Sequence, residues 1–260
     1  MLPILRDAAL RAAPQDEVFC DLLGSDLSVS STHAGRQQFL ADMGRLGIDV
    51  SRETGNRLEV LVSTLERWQK AINLVSRTTL GDVWRRHVLD SAQLKPLIPQ
   101  GAKTLADLGS GAGFPGLVVA ALCPDLEITL MESDARKAAF LGEAARHMTL
   151  EKPPKIVVGR VESVPPMPAD VITARALAPL GQLLGWADRH RTDTAICLFH
   201  KGKGWQAEVT EAMKDWDIPH QTFNSVTDLD AVILRIGPYR AAALRDRQPE
   251  GRRRQDHDGN

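Results

Sequence analysis

Apolar residues between positions 58 and 72 recur three and four apart. Leu58, Leu61, Leu65, Trp68 and Ile72 form one stripe, with Glu59, Glu66, Arg67 and Lys70 off it, the pattern of an amphipathic helix. Asp82 is placed to cap a second helix through Val83, Trp84, Val88 and Leu89. Pro96 and Pro99 close this helical stretch, and Trp68 and Trp84 read as core residues. From Lys103 the pattern changes to short apolar runs. Candidate strands are Thr104–Leu108, Glu127–Met131, Lys155–Val158, Asp170–Ala174, Thr194–His200, Gln221–Val226 and Ala231–Ile236. Candidate helices are Pro115–Leu122, Asp134–Met148, Leu180–Arg189 and Trp205–Asp215. Such alternation argues a mostly parallel seven-stranded sheet with helices on both faces. The last two strands lack a helix between them and predict an antiparallel hairpin edge.

Residues 1–36 show no sustained period. Ser28, Ser30, Ser31 and Gly35 read as a linker, so a poorly ordered extension is expected there. Residues 37–100 then form an N-terminal helical module, 101–240 the α/β domain, and 241–260 a charged disordered tail carrying Arg252, Arg253 and Arg254.

Composition narrows the functional classes. The chain has 260 residues, 43% hydrophobic and 25% charged, with a formal net charge of −1, values ordinary for a soluble globular protein. The bulk charge does not announce nucleic-acid binding, although a local basic face is compatible with it. Cys20, Cys123 and Cys197 are odd in number and widely spaced. They fit neither a disulfide framework nor a metal site, which points to a cytoplasmic home and no metal. Cys123 and Cys197 read as core residues. No stretch reaches the ~18 apolar residues of a membrane span, and Arg6, Asp7 and Arg11 interrupt any signal-peptide-like run.

The candidate chemistry centres on Thr104-Leu-Ala-Asp-Leu-Gly-Ser-Gly-Ala-Gly-Phe-Pro-Gly116. A strand ends at Asp107, and glycines 109, 111 and 113 permit a tight turn into a helix, whose N-terminus attracts anionic groups. Glu132 closes the next strand and is placed to accept ribose hydroxyls. Read literally, Gly111-Ala-Gly113-Phe-Pro-Gly116 with Glu132 also matches a dinucleotide fingerprint. A carboxylate just before the first glycine repels a pyrophosphate and suits a cation such as S-adenosylmethionine. No Tyr/Lys or His hydride-transfer pair is evident, since Tyr239 is the only tyrosine. Ligands of such sheets bind outside the carboxyl ends of the strands, which places Asp107–Phe114, Glu132, the Gly159–Glu162 turn, Arg175 and Lys201 on one rim.

Several blocks in order resemble the bacterial small-subunit ribosomal RNA methyltransferase G family, also called glucose-inhibited division protein B. They are Trp68-Gln-Lys-Ala-Ile-Asn73-Leu-Val-Ser, with Gln69 where the family usually has Asn, and Arg86-His87-Val-Leu-Asp90-Ser91. Asp107–Gly116, Ser133 with Lys137, Phe140 and Leu141, Gly159-Arg160-Val-Glu162, Thr173-Ala-Arg175-Ala176 and Lys201-Gly202 complete the set. The resemblance spans roughly residues 38–237. It implies a Rossmann-like class I S-adenosylmethionine-dependent methyltransferase fold and methyl transfer to N7 of one guanine in 16S rRNA of the small ribosomal subunit.

Carried over by position, the cofactor contacts would be Gly109, Phe114, Val161, Glu162 and Arg175. Gly111 belongs to the same loop, and Asp107 and Glu132 take the general roles near the methionine end and the ribose. Guanine N7 carries a free lone pair, so no general base is expected and catalysis can rest on positioning and electrostatics. Arg85, Arg86, Lys137, Arg160, Arg175, Lys201 and Lys203 are the candidate RNA contacts. His87 reads as a hydrogen-bonded structural residue, tying the helical module to Asp90 or to the cofactor loop. Nothing demands more than a monomer. A protein that holds RNA without modifying it remains the alternative of a different class.

Overall fold

The computed structural model describes residues 26–242. Residues 1–25, with Cys20, and 243–260, with Arg252 to Arg254, lie outside the described residues, and so do the expectations placed on them. The strands, numbered along the chain, are β1 (Thr104–Leu108), β2 (Glu127–Glu132), β3 (Lys155–Val158), β4 (Ala169–Arg175), β5 (Arg191–Lys201), β6 (Trp216–Asp217), β7 (His220–Asn224), β8 (Val232–Ile236) and β9 (Arg240–Ala241). Seven of them form one sheet in the order β3-β2-β1-β4-β5-β8-β7. The first five are parallel, and β8 and β7 add antiparallel, as the missing helix between them predicts. This is a Rossmann-like α/β sheet whose strand order reverses between β1 and β4. The small β6–β9 pair adds to the expected strands, because two-residue strands leave no periodic trace in a sequence.

The helices are α1 (Asp26–Arg45), α2 (Arg52–Gln69), α3 (Arg77–Leu80), α4 (Asp90–Ala92), α5 (Gly116–Leu122), α6 (Ala135–His147), α7 (Leu180–Asp188) and α8 (Trp205–Ala212). Alternation along the strands sorts the core into two clusters. Leu105, Leu130, Val171, Leu198 and Ile233 face α5, α6 and the N-terminal helices. Ala106, Met131, Ile172, Cys197 and Leu234 face α7 and α8. One apolar cluster therefore runs without a break from Phe39 and Leu61 through Leu117 and Phe140 onto the sheet. The helical module shares its core with the α/β domain instead of enclosing one of its own. Trp68 packs edge-on against Phe140 with centroids 6.0 Å apart, and Trp84 lies 5.5 Å from Phe39, so both tryptophans are core.

Two expectations are corrected. Helix α1 begins at Asp26, inside the stretch read as a loose extension. Gly35 is a helix–helix contact and not part of a linker, since a Cβ there would lie 2.6 Å from the Trp84 ring. Asp82 contributes no side-chain cap. Within the helical module the side chains that cap are Ser51 on α2 and Ser76 on α3. Gln69, the departure from the family pattern, accepts from Leu74 N and Val75 N and donates to Val75 O at 2.9–3.0 Å, bracing the loop that follows α2.

Candidate functional site

Between Val83 and α4 the helix widens into a π turn, Trp84–Leu89, closed by Asp90 N donating to Arg85 O. Such turns occur often at functional sites. This one sets Arg86, His87 and Asp90 against the carboxyl ends of β4 and β5. There they meet Arg175 and His200 around a cavity of about 220 Å³, which Lys201, Thr227 and Asp228 also line. A larger cavity of about 630 Å³ opens between Gly35, Gln69 and Trp84. It lies away from the strand ends and collects none of the motif residues around the glycine loop.

Asp90 organises the smaller cavity. One carboxylate oxygen accepts from Thr227 Oγ1 at 2.9 Å and Gln93 Nε2 at 2.9 Å. The other lies 3.5 Å from Arg175 and 3.8 Å from His200. The His200 Nε2 also sits 2.8 Å from Asp90 O. The Nδ1 atoms of His87 and His200 are buried without a protein partner, and unsatisfied buried polar atoms are a reason to look for a ligand. Burial, reinforced by the charge of Arg175, lowers the His87 pKa to about 3. Burial likewise lowers that of His200. Both rings are neutral at neutral pH.

The glycine loop meets the residues of the cavity wall through one aromatic ring. Phe114 is buried between His87, stacked at 5.1 Å and 21°, and the Arg175 guanidinium at 5.4 Å. His87 thus ties the helical module to the glycine loop, and its Nε2 meets Thr79 Oγ1 at 2.9 Å. It makes no contact of its own with Asp90 among the hydrogen bonds of the described residues.

The loop itself is held from below. Asp107 is fully buried, accepting from Thr173 Oγ1 at 2.7 Å and Gly116 N at 3.2 Å. Burial raises its pKa to about 6 against these hydrogen bonds. The rim position expected for this carboxylate is corrected: it faces inward and anchors the loop and the start of α5. Glu132 does the same from the side, accepting from Gly111 N and Asp134 N at 2.8 Å. Gly109, Gly111 and Gly113 all have positive φ. A Cβ on Gly109 would strike Leu177 at 2.5 Å and one on Gly113 would strike Leu117 at 2.5 Å, whereas one on Gly111 would meet only Gly109 O at 3.8 Å. Bare backbone at Gly111 therefore faces open space beside the Glu132 carboxylate, each of whose oxygens retains a lone pair. That is a fitting cradle for the sugar and methionine portions of S-adenosylmethionine.

The remaining expected residues separate. Val161 is buried and Glu162 pairs with Arg160 at 2.7 Å, in the turn that follows β3. Lys137 lies in the first turn of α6, half-buried. Arg85 donates to Thr227 O at 3.0 Å and Arg86 pairs with Asp228 at 3.2 Å, while Lys203 is exposed one residue from the cavity wall. Lys201 is corrected as an RNA contact. It is buried, with its ammonium 2.7 Å from Glu208 and donating to Ala178 O at 2.8 Å. Asp90 and Thr173, quoted in the sequence only as members of their blocks, join the site, and His200 and Thr227 join it without being singled out by sequence. Side chains alternate along β5, so His200 and not Lys201 points to the helical module. Thr173 stands opposite Asp107 in the β1–β4 register.

Among the described residues no group of three His, Cys, Asp or Glu is arranged to hold a metal, and no helix is long and apolar enough to cross a membrane. A family profile described as rRNA small subunit methyltransferase G matches residues 54–234. Relatives bearing the name Ribosomal RNA small subunit methyltransferase G include one from Paramagnetospirillum magneticum, 50% identical over 188 residues, covering 72% of this chain and 90% of that protein. Another, from Jannaschia, is 51% identical over 191 residues with the same two coverages. Among solved structures, an O-methyltransferase from Bacillus cereus in complex with SAH aligns at a TM-score of 0.48 and 12% identity, over 77% of this chain and 96% of that one.

Proposed function

Because the chain belongs to the rRNA small subunit methyltransferase G family, we propose that this rRNA methyltransferase acts on N7 of one guanine in 16S rRNA, by direct in-line transfer without a general base. The observation that carries the reading is the junction at Phe114, a glycine-loop ring packed against His87 and Arg175, two residues that line the polar cavity. S-adenosylmethionine, the methyl donor, supplies an electrophilic methyl group on a sulfonium. Gly109, Gly111 and Phe114 would line it, Glu132 would take the ribose hydroxyls, and Val161 and Glu162 would border its base.

The chain's own groups position and do not abstract. Asp107 and Thr173 hold the loop from below, and Arg175 with His87 fixes the Phe114 ring between the two sites. Guanine N7 already offers a lone pair, so no residue need remove a proton before attack. The ring gains positive charge as it is methylated, and Asp90 and Asp228 provide carboxylates on the cavity wall to offset it. Arg85, Arg86 and Lys203 flank that cavity and would take the RNA backbone, with Arg160 and Lys137 on the cofactor side. A cytoplasmic monomer working on the small subunit fits this reading.

The test is methyl transfer from labelled S-adenosylmethionine to small subunits from cells lacking the enzyme, followed by chemical mapping of the modified base. Label at a guanine N7 of 16S rRNA is the expected result. Label at another atom, or none despite cofactor binding, overturns the assignment of the acceptor.

A further inference from the structure

Leu229 is wholly exposed, at 103% of its reference area. A lone exposed leucine is ordinary, but the loop carrying this one is fixed by contacts within its own turn and to the helical module. Ala231 N donates to Asp228 O at 3.2 Å, and Asp230 N to Asp228 Oδ1 at 3.0 Å, closing a tight turn with Leu229 at its tip. Both feet of that turn, Asp228 and Ala231, line the 220 Å³ cavity. The helical module then clamps the loop from behind. Arg85 reaches Thr227 O, Arg86 reaches Asp228, Asp90 takes Thr227 Oγ1, and Gln93 accepts from Val226 N at 3.0 Å. A chain segment held this firmly presents a fully exposed apolar side chain at its tip, at the mouth of a polar chamber, with two arginines behind it.

From this arrangement we infer that Leu229 is a wedge: it enters the RNA stack and fills the gap left when the target guanine swings into the cavity. The inference rests on the proposed acceptor and adds how that base is reached. Enzymes that modify a base take it out of its stack, and apolar side chains including Leu are inserted between bases by proteins that unstack them. The arginines, held by backbone and carboxylate contacts, sit where the flanking phosphates would pass. Leu229 contributes nothing to packing, so replacing it leaves the fold intact and any loss of activity reports on the RNA.

The experiment compares Leu229→Ala, Leu229→Met and the control Met213→Ala, another exposed apolar residue (49% exposed) just past α8. The substrate is unmodified small subunits, with kcat and KM for transfer read separately and S-adenosylmethionine affinity by calorimetry. Leu229→Ala should lower kcat about tenfold or more, the rate equivalent of leaving part of the unstacking cost uncompensated. KM should stay within about twofold and cofactor affinity should not change. Leu229→Met should recover most of the rate, and Met213→Ala should match the wild type. A full rate for Leu229→Ala overturns the wedge, and so does a defect confined to KM, which would mark a docking contact. Failure of the wild type to label any guanine N7 would instead overturn the acceptor reading, and the two failures are distinguished by the wild-type lane alone.

Discussion

Replacing Asp107 by Asn separates what its charge costs from what its hydrogen bonds contribute. The carboxyl is fully buried and its pKa stands near 6 against an ordinary 3.8, which disfavours the ionised native state by about 3 kcal/mol. The sign follows from proton binding. Between pH 4 and 6 the native state keeps a proton that the unfolded chain has released, so stability is full below the unfolded value and falls as pH rises through the folded one. Asn carries no such titration. It can still accept from Thr173 Oγ1, but its amide nitrogen cannot accept from Gly116 N, and that unmet donor costs about 1–3 kcal/mol at every pH. The difference in unfolding free energy, Asp107→Asn variant minus wild type, should therefore start negative near pH 4 and rise by about 3 kcal/mol by pH 7. Urea unfolding of both proteins across that range measures it, and contributions from all other groups cancel in the difference. A difference that stays flat with pH would refute the argument that burial dominates this carboxylate.

Gly111→Ala should fold with about 1–2 kcal/mol of strain from its positive φ yet lose S-adenosylmethionine affinity, whereas Gly113→Ala, which meets Leu117, should mainly lose stability; calorimetry and thermal unfolding separate the two, and undiminished affinity in the first would refute the cradle. Asp90→Ala takes the carboxylate from half-buried Arg175, which keeps Arg86 O, and removes one partner each from Thr227 and Gln93; it should cost about 3 kcal/mol by denaturant unfolding, with a loss below about 1 kcal/mol showing the cluster is not coupled. His87, with its pKa near 3, should keep neutral-imidazole NMR shifts down to pH 5. Its contribution to stability is complete above pH 6.5 and drains away as pH falls towards 3, and a titration near 6.5 would contradict its burial.

The strands of the sheet were legible because all but the polar edge strand β7 contain an apolar run ended by turn residues, and their bounds moved by at most a few positions. The glycine loop was legible because positive φ at Gly109, Gly111 and Gly113 demands glycine. What escaped depends on three dimensions. The acidic residue before the loop reads the same whether it faces a ligand or the core, and only the Thr173 and Gly116 partners decide it. Helix α1 escaped because its Ser- and Gly-containing start has weak intrinsic propensity, and Phe39, Met43 and the close approach of Gly35 to Trp84 stabilise it through tertiary packing. The π turn has no signature in composition at all.

The end of β5 sends His200 to the chamber and Lys201 to α8, two neighbours serving opposite sides of the sheet. For the heredity of this gene, the length of that strand is accordingly guarded more strictly than its letters. An apolar residue such as Ile196 or Leu198 can be exchanged for another of similar volume, one at a time, with modest effect. Losing or gaining a single codon between them and Lys201 exchanges the two faces in one step, pressing an ammonium against Arg175 and an imidazole against Glu208. Deletions there should be absent from descendants that still carry out the reaction, however far their sequences have drifted.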